Sequence, residues 1–134
     1  MSATTPLLQK VDAVTIPVPD LDAGLRFYHD SLGHELRWRN DQAGQAGLGL
    51  PGSDTEIVLT TRQAYEPDWL VASADHAAAA IQAAGGRVVT EPFDIPVGRV
   101  AVVADPFGNT LVLLDLSKGH YVTDAAGNVT GVKP

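Results

Sequence analysis

Apolar and polar positions along this chain keep two rhythms, one of strands and one of a helix, and the same succession occurs twice. Residues 11–18 (VDAVTIPV) are rich in β-branched side chains and predict a strand that Pro17 and Pro19 bring to an end. Asp20 is placed to cap a helix reaching to about Ser31, in which Leu21, Leu25, Tyr28 and Leu32 form one apolar stripe. Gly33 stops it. Strands are then expected over about 35–40, 47–50 and 55–60, separated by the Gly- and Gln-rich DQAGQAG and by the turn Pro51-Gly52-Ser53-Asp54. The second succession begins with a short strand at 68–72. Ser73 or Asp75 then caps an alanine-rich helix reaching Ala84, and Gly85-Gly86 ends it.

Strands at 87–90, 98–104 and 110–116 complete the second half, which closes on VVADPFGNTLVLLDL (102–116). There Pro106 presets φ for an early turn position and Gly108 tolerates φ > 0. Asp105 and Asn109 bond nearby backbone, so the flanking runs pair as an antiparallel hairpin. Residues 111–114 are apolar on both faces and belong in the middle of a covered sheet. The chain therefore reads as two βαβββ units of like length, an α+β architecture. One unit alone leaves a greasy sheet face, which a second can bury. The remaining stretch 117–134 contains another turn-rich insert, Asp124-Ala125-Ala126-Gly127-Asn128, and predicts a terminal hairpin or arm. Residues 1–10 read as a loose lead-in.

Composition narrows the function classes. With 134 residues and 45% hydrophobic content the chain matches one domain with a real core, and 6% aromatics leaves that core to aliphatic residues. The absence of cysteine excludes disulfides, thiolate metal sites and Cys nucleophiles. The start lacks the pattern of a signal peptide, and no apolar run approaches the roughly 18–20 residues of a membrane helix, so a cytoplasmic location off the membrane is expected. Nine basic residues scattered among 16 acidic ones, a net charge of −7, make no stripe for nucleic acid. The acidity either attracts a cationic ligand or, more simply, keeps the protein soluble.

VTIPVPDLDAGLRFYHDSLGHEL (14–36), AAAAIQAAGGRVV (77–89) and DPFGNTLVLLD (105–115) occur in this order at spacings that resemble the vicinal oxygen chelate superfamily. That superfamily contains the glyoxalases, bleomycin-resistance proteins and extradiol dioxygenases. Over about residues 11–116 the resemblance implies two βαβββ modules, about 11–62 and 66–116, within a single domain carrying a C-terminal extension at 117–134. It also implies that the strands curl into a cup with the helices outside, commonly in a homodimer. Members of the superfamily typically hold a divalent metal through four His, Gln or Glu side chains on the cup floor. Here the resemblance puts Ala13, Val58 and Val112 at three of those positions, and Glu66 or Asp68 at the fourth. Alkyl groups carry no lone pair, so no metal and no cofactor are expected.

No other motif takes the metal's place. His29, His34, His76 and His120 lack the spacing of a helical metal pair and read as surface residues. No G-x-S-x-G elbow, P-loop or dinucleotide fingerprint is present. Strand parity instead turns Ala13, Thr15, Val58, Thr60, Val112 and Leu114 toward one apolar surface, with Glu56 on Val58's side nearer the rim and Asp115 facing away. Trp38 and Trp69 offer flat faces for an aromatic or cationic ligand, with core or interface packing as the alternative. Arg37, Arg39 and Arg99 are candidate clamps for an anionic group. Three readings follow: metal-free binding of a small organic molecule, which leads; a metal-independent isomerase, epimerase or lyase with Glu56, Glu66 or Asp68 as base; and a non-catalytic interaction domain.

Overall fold

The computed structural model describes residues 5–134 and bears out the α+β class, with both βαβββ successions present. It divides into two compact units. One comprises Asp12–Pro67 with Tyr121–Lys133, and the other comprises Asp68–His120 with the chain up to Val11 and Pro134. Among the described residues no helix is long and apolar enough to cross a membrane.

In the first unit, strand β1 (Lys10–Pro17) runs parallel to β4 (Ser53–Thr60), with Ala13 opposite Glu56 and Thr15 opposite Val58. Strands β2 (Leu36–Asn40) and β3 (Gln45–Leu50) add on antiparallel, giving the order β2-β3-β4-β1. Helix α1 (Leu21–Leu25) starts where expected, because the Asp20 carboxylate accepts from Ala23 N–H at 2.7 Å. It does not continue as an α-helix to Ser31. Over Arg26–Ser31 it widens into a π-helix, with Leu32 N–H donating to Phe27 O at 3.0 Å. The wider turn breaks the anticipated stripe. Leu21, Leu25 and Tyr28 belong to the cluster with Ala46, Leu48 and Leu59, whereas Leu32 is 52% exposed.

The second unit has the same connectivity. Strand β5 (Glu66–Leu70) is parallel to β8 (Thr110–Asp115), and β8, β7 (Gly98–Ala104) and β6 (Arg87–Ile95) follow antiparallel. The doubly apolar β8 sits between β5 and β7, as its composition requires. Asp105 accepts from the Phe107 and Asn109 backbone N–H groups at 2.8 and 2.9 Å, which fixes the β7–β8 turn. Helix α2 (Ala74–Ala83) is capped by Ser73, whose hydroxyl accepts from His76 N–H, and lies on a cluster of Val71, Ala77, Ala101, Val103 and Leu113. The chain before β1 is not loose where it is described. Leu7 and Leu8 pack against this cluster, and Gln9 N–H donates to Leu70 O at 2.9 Å.

One carboxylate ties this unit together. Asp115, 2% exposed, accepts from Ala74 N–H at the start of α2 (2.7 Å), from Arg99 N–H on β7 (2.9 Å), and from the Ser117 hydroxyl (2.7 Å). Burial works to raise its pKa, but the donors from Ala74, Ser117 and Arg99 win, and the carboxyl titrates below its ordinary value. A charge held this way contributes stability above the unfolded value of about 4, and the contribution is lost as pH falls through the lower folded value. Asp115→Ala is therefore expected to reduce unfolding free energy by about 3 kcal/mol at pH 7. In denaturant titrations the deficit shrinks as the pH is lowered below about 4.

Candidate functional site

The sequence of β3 builds one side of the site. Ala46 and Leu48 turn toward α1 and join its cluster, so Gly47 and Gly49 occupy the opposite face. A Cβ at Gly47 would strike the Trp38 indole, and one at Gly49 would lie 2.6 Å from the Arg37 Nε. The β2–β3 register shifts between Leu36 and Trp38, and Leu36 still reaches the α1 cluster. Such an irregularity re-aims side chains. Both Trp38 and Arg37 consequently lie over glycine backbone on the face away from the helix.

Glu56 shares that face with Val58 by strand parity and stands opposite Ala13 in register. The Trp38 indole Nε1–H donates to Glu56 Oε1 at 3.0 Å. Burial, the largest influence, raises the affinity of this carboxyl for its proton. The Trp38 hydrogen bond opposes that, Asp12 reinforces it, and Arg37 opposes it more weakly; the balance is an upward shift. Tyr121, from the hairpin β9 (His120–Thr123) and β10 (Val129–Lys133), rests against Trp38 with ring centroids 4.9 Å apart and planes tilted by 46°. Burial raises the Tyr121 pKa despite a hydrogen bond from Asn40. The hairpin is anchored on β2, where Arg39 N–H donates to Gly127 O at 2.8 Å.

The other expected residues are distributed as follows. Ala13, Thr15 and Val58 are buried, and the Thr15 hydroxyl is shared between Ala64 O (2.6 Å) and Glu66 O (3.1 Å). In the first unit Trp38 and Glu56 are thus half-buried and hydrogen-bonded to each other, with Arg37 exposed beside Trp38 in the chain. Glu66 enters this arrangement through its backbone carbonyl. In the second unit Asp68 pairs with Val112 and Leu70 with Leu114, on the face away from α2, with Leu114 buried. Trp69 turns the other way and packs against the α2 cluster, so the two tryptophans have different roles. Asp115 faces away from Val112, as parity requires, and is fully engaged in the hydrogen bonds described above.

Three of the four implied metal positions carry alkyl side chains, Ala13, Val58 and Val112, so the donor set does not fit a divalent ion. Among the described residues no three His, Cys, Asp or Glu side chains gather where they would hold one. Two of the histidines serve local structure, His29 Nδ1 lying 2.7 Å from His34 O and His34 Nδ1 3.1 Å from Gly49 O, while His76 and His120 are exposed.

Sequence reasoning alone did not reach Tyr121. The signal available for it was the recurrence of Asp-x-x-Gly-Asn at 124–128, which repeats the turn at 105–109. Asp124 accepts from Ala126 and Asn128 N–H just as Asp105 does from Phe107 and Asn109.

Two expectations test this geometry. Gly47→Ala should displace the indole and reduce stability by about 1–3 kcal/mol, with an altered Trp emission spectrum. Glu56→Gln keeps an acceptor for Trp38 but removes a charge that burial disfavours. Because the folded pKa is raised, the parent's contribution is present below about pH 4 and lost as pH rises through the folded value. The variant should therefore melt above the parent at pH 7 and level with it below pH 4, as read by calorimetry.

Comparison with known proteins agrees with the fold. The glyoxalase-like domain family matches residues 13–114. An uncharacterized protein of Mycolicibacterium smegmatis is 33% identical over 109 residues, spanning 77% of this chain and 90% of its own. The Mycobacterium bovis protein named "Putative glyoxylase CFP32" is 36% identical over 95 residues, spanning 65% of this chain and 36% of its own. Among solved structures, methylmalonyl-CoA epimerase from Mycobacterium tuberculosis superposes with a TM-score of 0.65 at 25% identity, covering 85% of this chain and 92% of that one. The chain belongs to the glyoxalase-like domain family, within the vicinal oxygen chelate superfamily.

Proposed function

We propose that this protein binds a small organic molecule without a divalent metal, at the margin formed by Trp38, Glu56 and Arg37. The observation that carries this reading is the Glu56 carboxyl. It is held by the Trp38 N–H at 3.0 Å on a face whose neighbouring positions, Ala13 and Val58, offer only carbon. The indole, in contact with Tyr121, supplies an aromatic surface, and Glu56 supplies one directional polar contact. Ala13, Thr15 and Val58 support this margin from below. In this reading the protein acts in the cytoplasm as a homodimer. Its pairing of an aromatic wall with a single ionisable group recognises shape first and polarity second.

A second reading is favoured by one specific observation, the raised proton affinity of Glu56. A carboxyl shifted upward is better matched to taking and returning a proton near neutral pH than an exposed one. That is the requirement for a metal-independent isomerase or epimerase, with Glu56 as base. The 25% identity to an epimerase structure supports this class of reaction, while the substrate stays open.

Native mass spectrometry of freshly purified protein tests the binding reading. The expected result is a dimer carrying an organic adduct but no stoichiometric metal, and Trp38→Leu should lose the adduct while remaining folded. A tightly held divalent ion, or an adduct indifferent to Trp38→Leu, would overturn it. For the second reading, a bound carbon acid should exchange hydrogen for solvent deuterium in the parent and at least about 100-fold more slowly in Glu56→Gln.

A further inference from the structure

We infer that the cavity beside Arg37 is an anion subsite of the binding site proposed above, so that its ligand is a small organic acid or phosphate ester. The inference rests on that binding reading for its biological meaning, but its geometry stands separately. The cavity measures about 270 Å³ and is lined by Gly33, His34, Glu35, Arg37, Gly49 and the Leu50-Pro51 turn.

Of the three arginines suited to clamp an anion, two are already engaged. Arg39 donates to Asp41 at 2.8 Å and to Asp22 at 2.9 Å. Arg99 is held by Asp75 at 2.8 and 3.2 Å, by Asp94 at 3.0 Å and by Pro92 O at 3.1 Å. Arg37 differs. Its ion pair is a 3.4 Å contact from Nε to Glu35, whose side chain is 78% exposed. Exposed pairs of this kind are weak and readily exchanged.

Gly49 makes the remainder possible. A Cβ there would lie 2.6 Å from Arg37 Nε and 2.8 Å from Nη2, so the guanidinium lies closely over glycine backbone. A planar fork in that position is suited to bidentate contact with a carboxylate or phosphate. The Gly49 carbonyl is also occupied, because His34 Nδ1 donates to Gly49 O at 3.1 Å. An entering anion thus meets a guanidinium beside a carbonyl whose lone pairs are partly used. Arg37 lies over Gly49 and Trp38 over Gly47, two residues apart on the same face of β3, which sets the subsite beside the Trp38 margin.

Titration of the isotope-labelled protein with sodium succinate and with inorganic phosphate, at constant ionic strength, tests this by amide chemical shifts. The expected result is saturable shifts confined to residues 33–37 and 49–51 with at least one of the two anions. They should vanish in Arg37→Met, strengthen at least about twofold in Glu35→Gln, which removes the competing carboxylate, and persist in Arg99→Met. A response to succinate alone assigns a carboxylate, and a response to phosphate alone a phosphate ester. The absence of saturable shifts, or shifts that survive Arg37→Met as an adventitious ion only, would overturn the subsite. Since both probes are simple anions, that failure concerns the subsite alone, whereas the binding reading fails on the missing adduct.

Discussion

The alternation of strand β3 is the constraint on which the site depends. A strand has two faces, and β3 puts alanine and leucine on one and glycine on the other. The Ala46 and Leu48 side chains are fully buried against α1, so the strand has no freedom to slip by one residue. That locks Gly47 and Gly49 outward, where the lack of a Cβ lets the Trp38 and Arg37 side chains approach the backbone. The packing of the core thereby fixes the position of two groups that never touch it. Trp38 in turn directs its N–H at Glu56, and the terminal hairpin brings Tyr121 into contact with the indole.

The second unit reaches rigidity by a different route. Its alanine-rich helix offers little side-chain volume, with Ala74 and Ala77 fully buried, and gains correspondingly little from packing each residue. A buried carboxylate compensates. Asp115 accepts hydrogen bonds from the helix start, the neighbouring strand and the following loop, and so joins three segments. A carboxyl group serves opposite ends in the two units. Donors surround Asp115 and keep it ionised, whereas Glu56 has one strong donor and considerable burial, which favours its protonated form.

This contrast bears on how the glyoxalase-like scaffold is used here. With Ala13, Val58 and Val112 in place of oxygen and nitrogen ligands, the chemistry available in the first unit lies with Glu56, Trp38 and Arg37. These are one carboxyl with a raised proton affinity, one indole donor and one lightly paired guanidinium. Groups of these kinds can hydrogen-bond, stack and pair with an anion, and the proposed binding rests on those capacities. Ala13, Thr15 and Val58 on the same sheet are buried.

The two βαβββ units, the Asp20 and Ser73 caps and the β7–β8 hairpin were legible in the sequence, because each follows from local spacing or residue chemistry. Strand parity also placed Glu56 beside Val58 and turned Asp115 away. The sequence could not separate Trp38 from Trp69, nor Arg37 from Arg39 and Arg99, since identical side chains differ only in their surroundings. Folding decided those points: Trp69 packed beneath a helix, Arg39 and Arg99 met carboxylates distant in sequence, and Tyr121 came back from the terminus to Trp38. Local pattern determines which face a residue can occupy. Which partner it finds on that face depends on contacts between residues far apart along the chain, and only the tertiary structure sets those.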